Sequence, residues 1–166
     1  SRRSSTPWLA LTVTVAVCSV GLLWLVVMII RTGYPYHLEW LESNVFCHSL
    51  RFAQGHPLYE HPFEGVPSHP YGPLYYIVSA EVLAHTGPTL FAGRIVSLIA
   101  TIWAALLCGL LARRAASSWL AFAAGAGAYL SFYPATGYWM ELFRVDSLAI
   151  ALWLQGLSLV HTAKGI

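Results

Sequence analysis

Residues 8–30 read WLALTVTVAVCSVGLLWLVVMII, a run of 23 residues without a charge. At about 1.5 Å per residue, a helix of that length covers the roughly 30 Å hydrocarbon core of a bilayer with some tilt. Arg2 and Arg3 precede it and Arg31 follows. A Ser-Arg-Arg start is similar to a twin-arginine export signal. The run, however, exceeds the signal-core length of about 7–15 residues, and no small-x-small cleavage site follows. The reading is an uncleaved helix, residues 8–30, with its N-terminus in the cytoplasm.

The rest of the composition agrees. Of 166 residues, 57% are hydrophobic, 14% aromatic and only 10% charged, against about 25% charged in a soluble domain. With a mean hydropathy of +0.61, this excludes disorder, a coiled coil, a nucleic-acid binder and an ordinary water-soluble enzyme. A net charge of +2 points to no polyanionic partner. Cys18, Cys47 and Cys108 fit neither a metal-ligand spacing nor a disulfide framework, and no metal ligands are expected.

Working outward, the apolar stretch within 73–86 contains Glu81 and is too short to cross, so it reads as an interfacial or re-entrant helix. Residues 92–112 form the second span, ending at Arg113 and Arg114. Residues 117–133 return, 134–146 form a second outer loop, and 147–164 form the last span. The expectation is one all-α integral membrane domain with four transmembrane helices. Two interfacial helices, 38–54 and 73–86, lie in the outer loop 31–91. The cytoplasmic side then holds Arg2, Arg3, Arg113, Arg114 and Lys164 and no acid. The other holds Arg31, Arg51, Arg94, Arg144 and all seven acids. The bias at the helix ends places 31–91 on the periplasmic face of an inner or plasma membrane. A full crossing by 73–86 is the alternative, and would turn Arg113–Arg114 outward.

From Leu38 to Gln54 neither proline nor glycine interrupts, and Gly55 is placed to end the helix. At 100° per residue, Leu38, Leu41, Val45, His48 and Phe52 share a sector, which Phe46 and Ala53 extend. Ser43, Asn44, Cys47, Arg51 and Gln54 oppose it. Glu42 falls inside the apolar sector and Glu39 at its edge. A carboxylate aimed at a packed face costs several kcal/mol unless something pairs or uses it. Glu42 is therefore either a candidate catalytic group or a structural one that snorkels or pairs with Arg51 or Arg94. His37, His48, His56, His61 and His69 show no HxxxH or HxH spacing and read as loop residues. In Tyr71-Gly72-Pro73-Leu74-Tyr75-Tyr76 the aromatics read as headgroup-level anchors, with substrate stacking as the alternative.

In the second outer loop, Asp146 is placed to cap the last helix, and Glu141 and Arg144, at i,i+3, to pair. The functional alternative joins Asp146 to Glu42 in one cleft, with Arg144 offering a fork to a phosphate.

Three blocks occur in order: Trp40-Leu41-Glu42 followed by Gly55-His56-Pro57-Leu58-Tyr59; Tyr71-Gly72-Pro73-Leu74-Tyr75-Tyr76 followed by Gly87-Pro88 and Ala92-Gly93-Arg94; and Trp139-x-Glu141-x-x-Arg144-x-Asp146-Ser147-Leu148. Over nearly the whole chain they resemble the N-terminal part of the GT-C superfamily, integral-membrane glycosyltransferases that use polyprenyl-phosphate sugars. The closest branches are the protein O-mannosyltransferase-like and aminoarabinose transferase-like families. The resemblance implies Glu42 as catalytic base and Asp146 as a second acid of the same cleft. Arg144, Arg94, Glu39 and Tyr71 are the candidate substrate and phosphate contacts, and a divalent cation is a possible cofactor. Partial burial should move the Glu42 pKa toward neutrality. The sequence departs from the family in having Leu41-Glu42 where many relatives have Asp-Glu, His69-Pro70-Tyr71-Gly72-Pro73 in the second block, and a much shorter length. The second reading is a truncated, non-catalytic relative serving as accessory subunit of a larger membrane complex, photosynthetic or respiratory for example. The enzyme reading requires further chain or other membrane subunits to build the donor groove.

Overall fold

The structure is a computed structural model that describes residues 7–59 and 71–163. All regular structure among them is helical. In chain order the elements are α1 (Pro7–Thr32), α2 (Trp40–Ala53), α3 (Leu74–Thr86), α4 (Phe91–Ala116), α5 (Trp119–Ser131), a 3-10 turn (Tyr133–Thr136) and α6 (Asp146–Ala163). Glu60, His61, Glu64, His69 and Lys164 lie outside the described residues.

Each boundary has a local cause. Glu39 caps α2, its carboxylate accepting the Leu41 N–H. Gly55, at φ +87, takes the left-handed conformation that stops it. α4 runs past its apolar stretch, because Arg113 and Arg114 suit the negative end of a helix. It stops at Ser117, which adopts a left-handed conformation, and Ser118 then caps α5 through the Leu120 N–H. These two serines and the 3-10 turn trim α5 to 13 residues, shorter than the expected 117–133. Asp146 enters α6 as its first residue.

Two helices are long and apolar enough to cross a membrane: Trp8–Thr32 and Phe91–Ala116. Much of the apolar surface of α1 is left outside, as with Trp8, Leu22 and Ile30. α1 and α5 approach backbone to backbone. A Cβ on Gly21 would lie 2.8 Å from the Gly127 carbonyl oxygen, and one on Gly127 3.0 Å from the backbone of Cys18. Small residues at such crossings let helices pack where no water is left to expel. α6 packs on α4 through Ala100, Ala104, Leu107, Ala151 and Leu154.

α2 and α3 lie side by side over the start of α4, sharing a core of Leu41, Val45, Tyr75, Tyr76, Leu83, Val96 and Phe143. Within it the Ser49 and Ser79 hydroxyls meet at 2.9 Å. The α2 face matches the helical wheel at Leu41, Glu42, Val45 and His48, all buried, whereas Leu38 precedes the helix and is exposed. Tyr75 and Tyr76 correct the expectation of interfacial anchors, since both are buried. The Tyr75 hydroxyl donates to the Gly93 carbonyl (2.9 Å) and meets Ser97 Oγ at 2.8 Å, which satisfies its polar end inside the core.

Candidate functional site

Three arginines and four carboxylates gather where α1 ends, α4 begins and the 137–146 segment returns to α6. Arg94, in the first turn of α4, is fully buried and all five of its N–H groups are used. Nε donates to Glu42 Oε1 at 2.7 Å and Nη2 to Glu42 Oε2 at 2.8 Å. The remaining three reach the carbonyls of Arg31, Tyr34 and Tyr36. Glu42 accepts two further bonds, from the Leu38 N–H (2.9 Å) and the Phe143 N–H (3.0 Å). This unit ties the exit of α1, the start of α2, α4 and the second loop together.

Its electrostatics reverse the sequence expectation. Burial pushes the Glu42 carboxyl up, but the Arg94 fork and the two backbone N–H donors outweigh it and hold the group below the ordinary carboxylate value. A carboxylate bonded four ways and shielded from solvent is a structural anchor in this conformation. Arg94 likewise has no donor left for a phosphate.

A second unit lies nearer the surface. Arg144 Nε donates to Asp146 Oδ2 at 2.8 Å and Nη1 to Glu39 Oε2 at 3.0 Å. Its guanidinium lies over the Trp139 ring, 4.2 Å from the centroid. Burial of Arg144 favours loss of its proton, yet bonds and charge from Asp146 and Glu39 raise its pKa above the usual value. Asp146 is the accessible member, with 45% of its side chain exposed. Thus Asp146 shares its arginine with Glu39, while Glu42 belongs to the buried unit beneath.

The expected Glu141–Arg144 pair does not form, because 141–145 is turn and bend, not helix, so i,i+3 spacing carries no geometry there. Glu141 is instead fully buried against Arg31, whose Nε lies 2.7 Å from Oε1. That N–H finds no hydrogen-bond acceptor among the described residues, so the contact is one of charge. The Tyr133 hydroxyl donates to the same oxygen at 2.6 Å, and Oε2 has no partner among the described residues. Burial raises the Glu141 pKa, and Tyr133 and Arg31 offset this only in part.

Two cavities flank Trp139. One, of about 700 Å³, is almost wholly apolar and is lined by Phe132, Thr136, Trp139, Met140, Asp146 and Ile150. The other, of about 550 Å³, is lined by Arg31, Tyr34, Leu38, Glu39, Tyr138 and Trp139. Asp146 therefore faces the first and Glu39 the second, with Arg144 joining them. Tyr71 lines neither. It is half-buried, accepts the Tyr59 hydroxyl on its carbonyl, and borders a smaller recess beside Tyr75 and Leu148. Among the described residues, no group of three His, Cys, Asp or Glu side chains gathers to hold a metal ion.

Sequence reasoning missed Arg31, Glu141 and Trp139 as members of the site. Arg31 reads as a flanking charge, and the indole is one of seven tryptophans. Glu141, an acid in an apolar loop, was the one legible signal. Comparison with models of known protein families, with curated proteins and with solved structures gives no match.

Proposed function

We propose that the chain is a module of a GT-C-type membrane glycosyltransferase that moves a sugar from a polyprenyl-phosphate donor to a hydroxyl acceptor. The observation that carries this reading is Arg144, bonded both to Glu39 of the first loop and to Asp146 at the start of the last helix, between an apolar cavity and a second, less apolar one. The first suits a prenyl chain, and the second, which Arg31 and Glu39 border, an acceptor. On this reading α1, α4 and α6 cross an inner or plasma membrane, as does α5 together with the 3-10 turn that extends it, α2 and α3 lie at the interface, and the acidic end faces away from the cytoplasm.

Glu39, which lines the second cavity, takes the proton from the acceptor hydroxyl as that oxygen attacks the anomeric carbon. The bond from that carbon to the phosphate oxygen breaks, its electron pair leaves with the lipid phosphate, and the configuration inverts. Arg144 is the nearest cation for the leaving charge, and Asp146 holds its fork in place. Glu42 and Arg94 brace this arrangement from below. The test is glycosyl transfer in membranes from a polyprenyl-phosphate sugar. E39Q and D146N should each lower it by tenfold or more with expression unchanged, and full transfer by both variants would refute the assignment.

A second reading, an accessory subunit without catalysis, is favoured by the saturated Glu42–Arg94 pair, which leaves no free base at the position that the family resemblance marks. It predicts stoichiometric co-purification with a larger membrane complex and no transfer.

A further inference from the structure

The opposite end of the molecule carries a different charge pattern. Arg113 and Arg114 close α4, and Ser117 and Ser118 form the turn into α5. The Arg113 guanidinium lies over the Trp119 ring, its Cζ 3.5 Å from the centroid. Arg114 reaches the other way and fixes α6, Nη1 donating to the Ser158 carbonyl (3.0 Å) and Oγ (2.9 Å). Neither arginine meets a carboxylate among the described residues. Glu39, Glu42, Glu81, Glu141 and Asp146 lie at the cap of α2, in α2, in α3, in the 137–146 segment and at the first residue of α6. Arg94 and Arg113 are 19 positions apart on one helix, about 28 Å along its axis, close to the roughly 30 Å of a hydrocarbon core. With the Arg94 end at one interface, Arg113 arrives at headgroup depth in the other leaflet. Trp119 is 64% exposed there, beside a guanidinium that meets no carboxylate among the described residues.

We propose that Arg113, Arg114 and Trp119 form a binding site for the phosphate of an anionic phospholipid of the bilayer. The Arg113 guanidinium supplies N–H donors to the headgroup, Arg114, whose Nη1 is committed to Ser158, adds positive charge, and the indole sits at the depth where Trp is enriched in membrane interfaces. The helix ends of α4 and α6 are already locked together by Arg114, so lipid binding steadies a preformed corner. The inference rests on the membrane placement of α4 and is independent of glycosyl transfer.

The experiment uses the full chain in detergent micelles and reads its thermal midpoint and its lipid adducts by native mass spectrometry. Phosphatidylglycerol should raise the midpoint and remain bound. Phosphatidylcholine and free glycerol phosphate should do neither, which separates a lipid from a soluble phosphate. R113Q/R114Q should bind phosphatidylglycerol on the order of thirtyfold more weakly, about one kcal/mol per lost charge. Should that double variant fail to fold, R113Q alone and W119A serve, each with a smaller loss. Equal retention of the two lipids, or undiminished phosphatidylglycerol binding in the folded variants, would overturn the site. So would a midpoint rise with glycerol phosphate matching that with the lipid.

Discussion

Arg94 and Glu42, 52 positions apart in the chain, meet through two parallel contacts of 2.7 and 2.8 Å with both side chains fully buried. Burying two charges is costly, and the pair holds because the remaining Arg94 N–H groups and both Glu42 oxygens find backbone partners. Removing one member leaves the other stranded. R94A should therefore lower stability by about 3–5 kcal/mol. R94M/E42L should cost less than the sum of its single changes. The check is a double-mutant cycle on unfolding midpoints in detergent, and additivity would show that the two side chains do not act as a unit.

Acid should separate the two buried glutamates. The Glu42 pKa is lowered on folding from an ordinary 4.5, so the stability it contributes is complete above that value and is lost as pH falls below it. The Glu141 pKa is raised, so the native state keeps a proton that the unfolded chain releases, and stability declines as pH rises above 4.5. Midpoints followed against pH for wild type, E42Q and E141Q provide the check. The wild type minus E42Q difference should shrink on acidification, and the wild type minus E141Q difference should fall as pH rises.

Gly93 is needed for space. A Cβ there would run into the ring of Phe143, which is fully buried between α2 and α4. G93A should destabilise by about 1–3 kcal/mol or more, and G93A/F143L should recover part of that loss. A thermal shift series on the three proteins would reveal it.

The Ser49–Ser79 contact joins α2 to α3 inside the core. S79A leaves Ser49 with its bond to the Val45 carbonyl only, and should cost about 1–3 kcal/mol. The loss should appear as faster amide exchange in α2 and α3, with α1 and α5 unaffected.

Arg144 differs from Lys by its planar fork, which reaches Asp146 and Glu39 through different nitrogens and stacks on Trp139. R144K keeps the charge but loses this geometry. Glycosyl transfer should fall about as far as in R144Q, with the unfolding midpoint changed by only a few degrees. Full activity in R144K would show that charge alone suffices.

The sequence by itself determined the local features. Charge-free runs fixed α1 and most of α4, Gly55 ended α2, and the 3.6-residue period put Leu41, Glu42 and Val45 on the buried face. These follow from backbone hydrogen bonding and solvent preference, which act over a few neighbours. Partner choice came only from the tertiary structure. Glu42 had Arg51 and Arg94 open to it, Arg144 paired away from Glu141, and Glu39 came to share an arginine 105 positions distant. Tyr75 and Tyr76 were drawn inward for the same reason. Which charges meet depends on how closely helices approach, and Gly21, Gly127 and Gly93 set that distance by lacking a side chain. For Glu42 and Arg94 burial then made the pairing obligatory, since no water remained to take a partner's place.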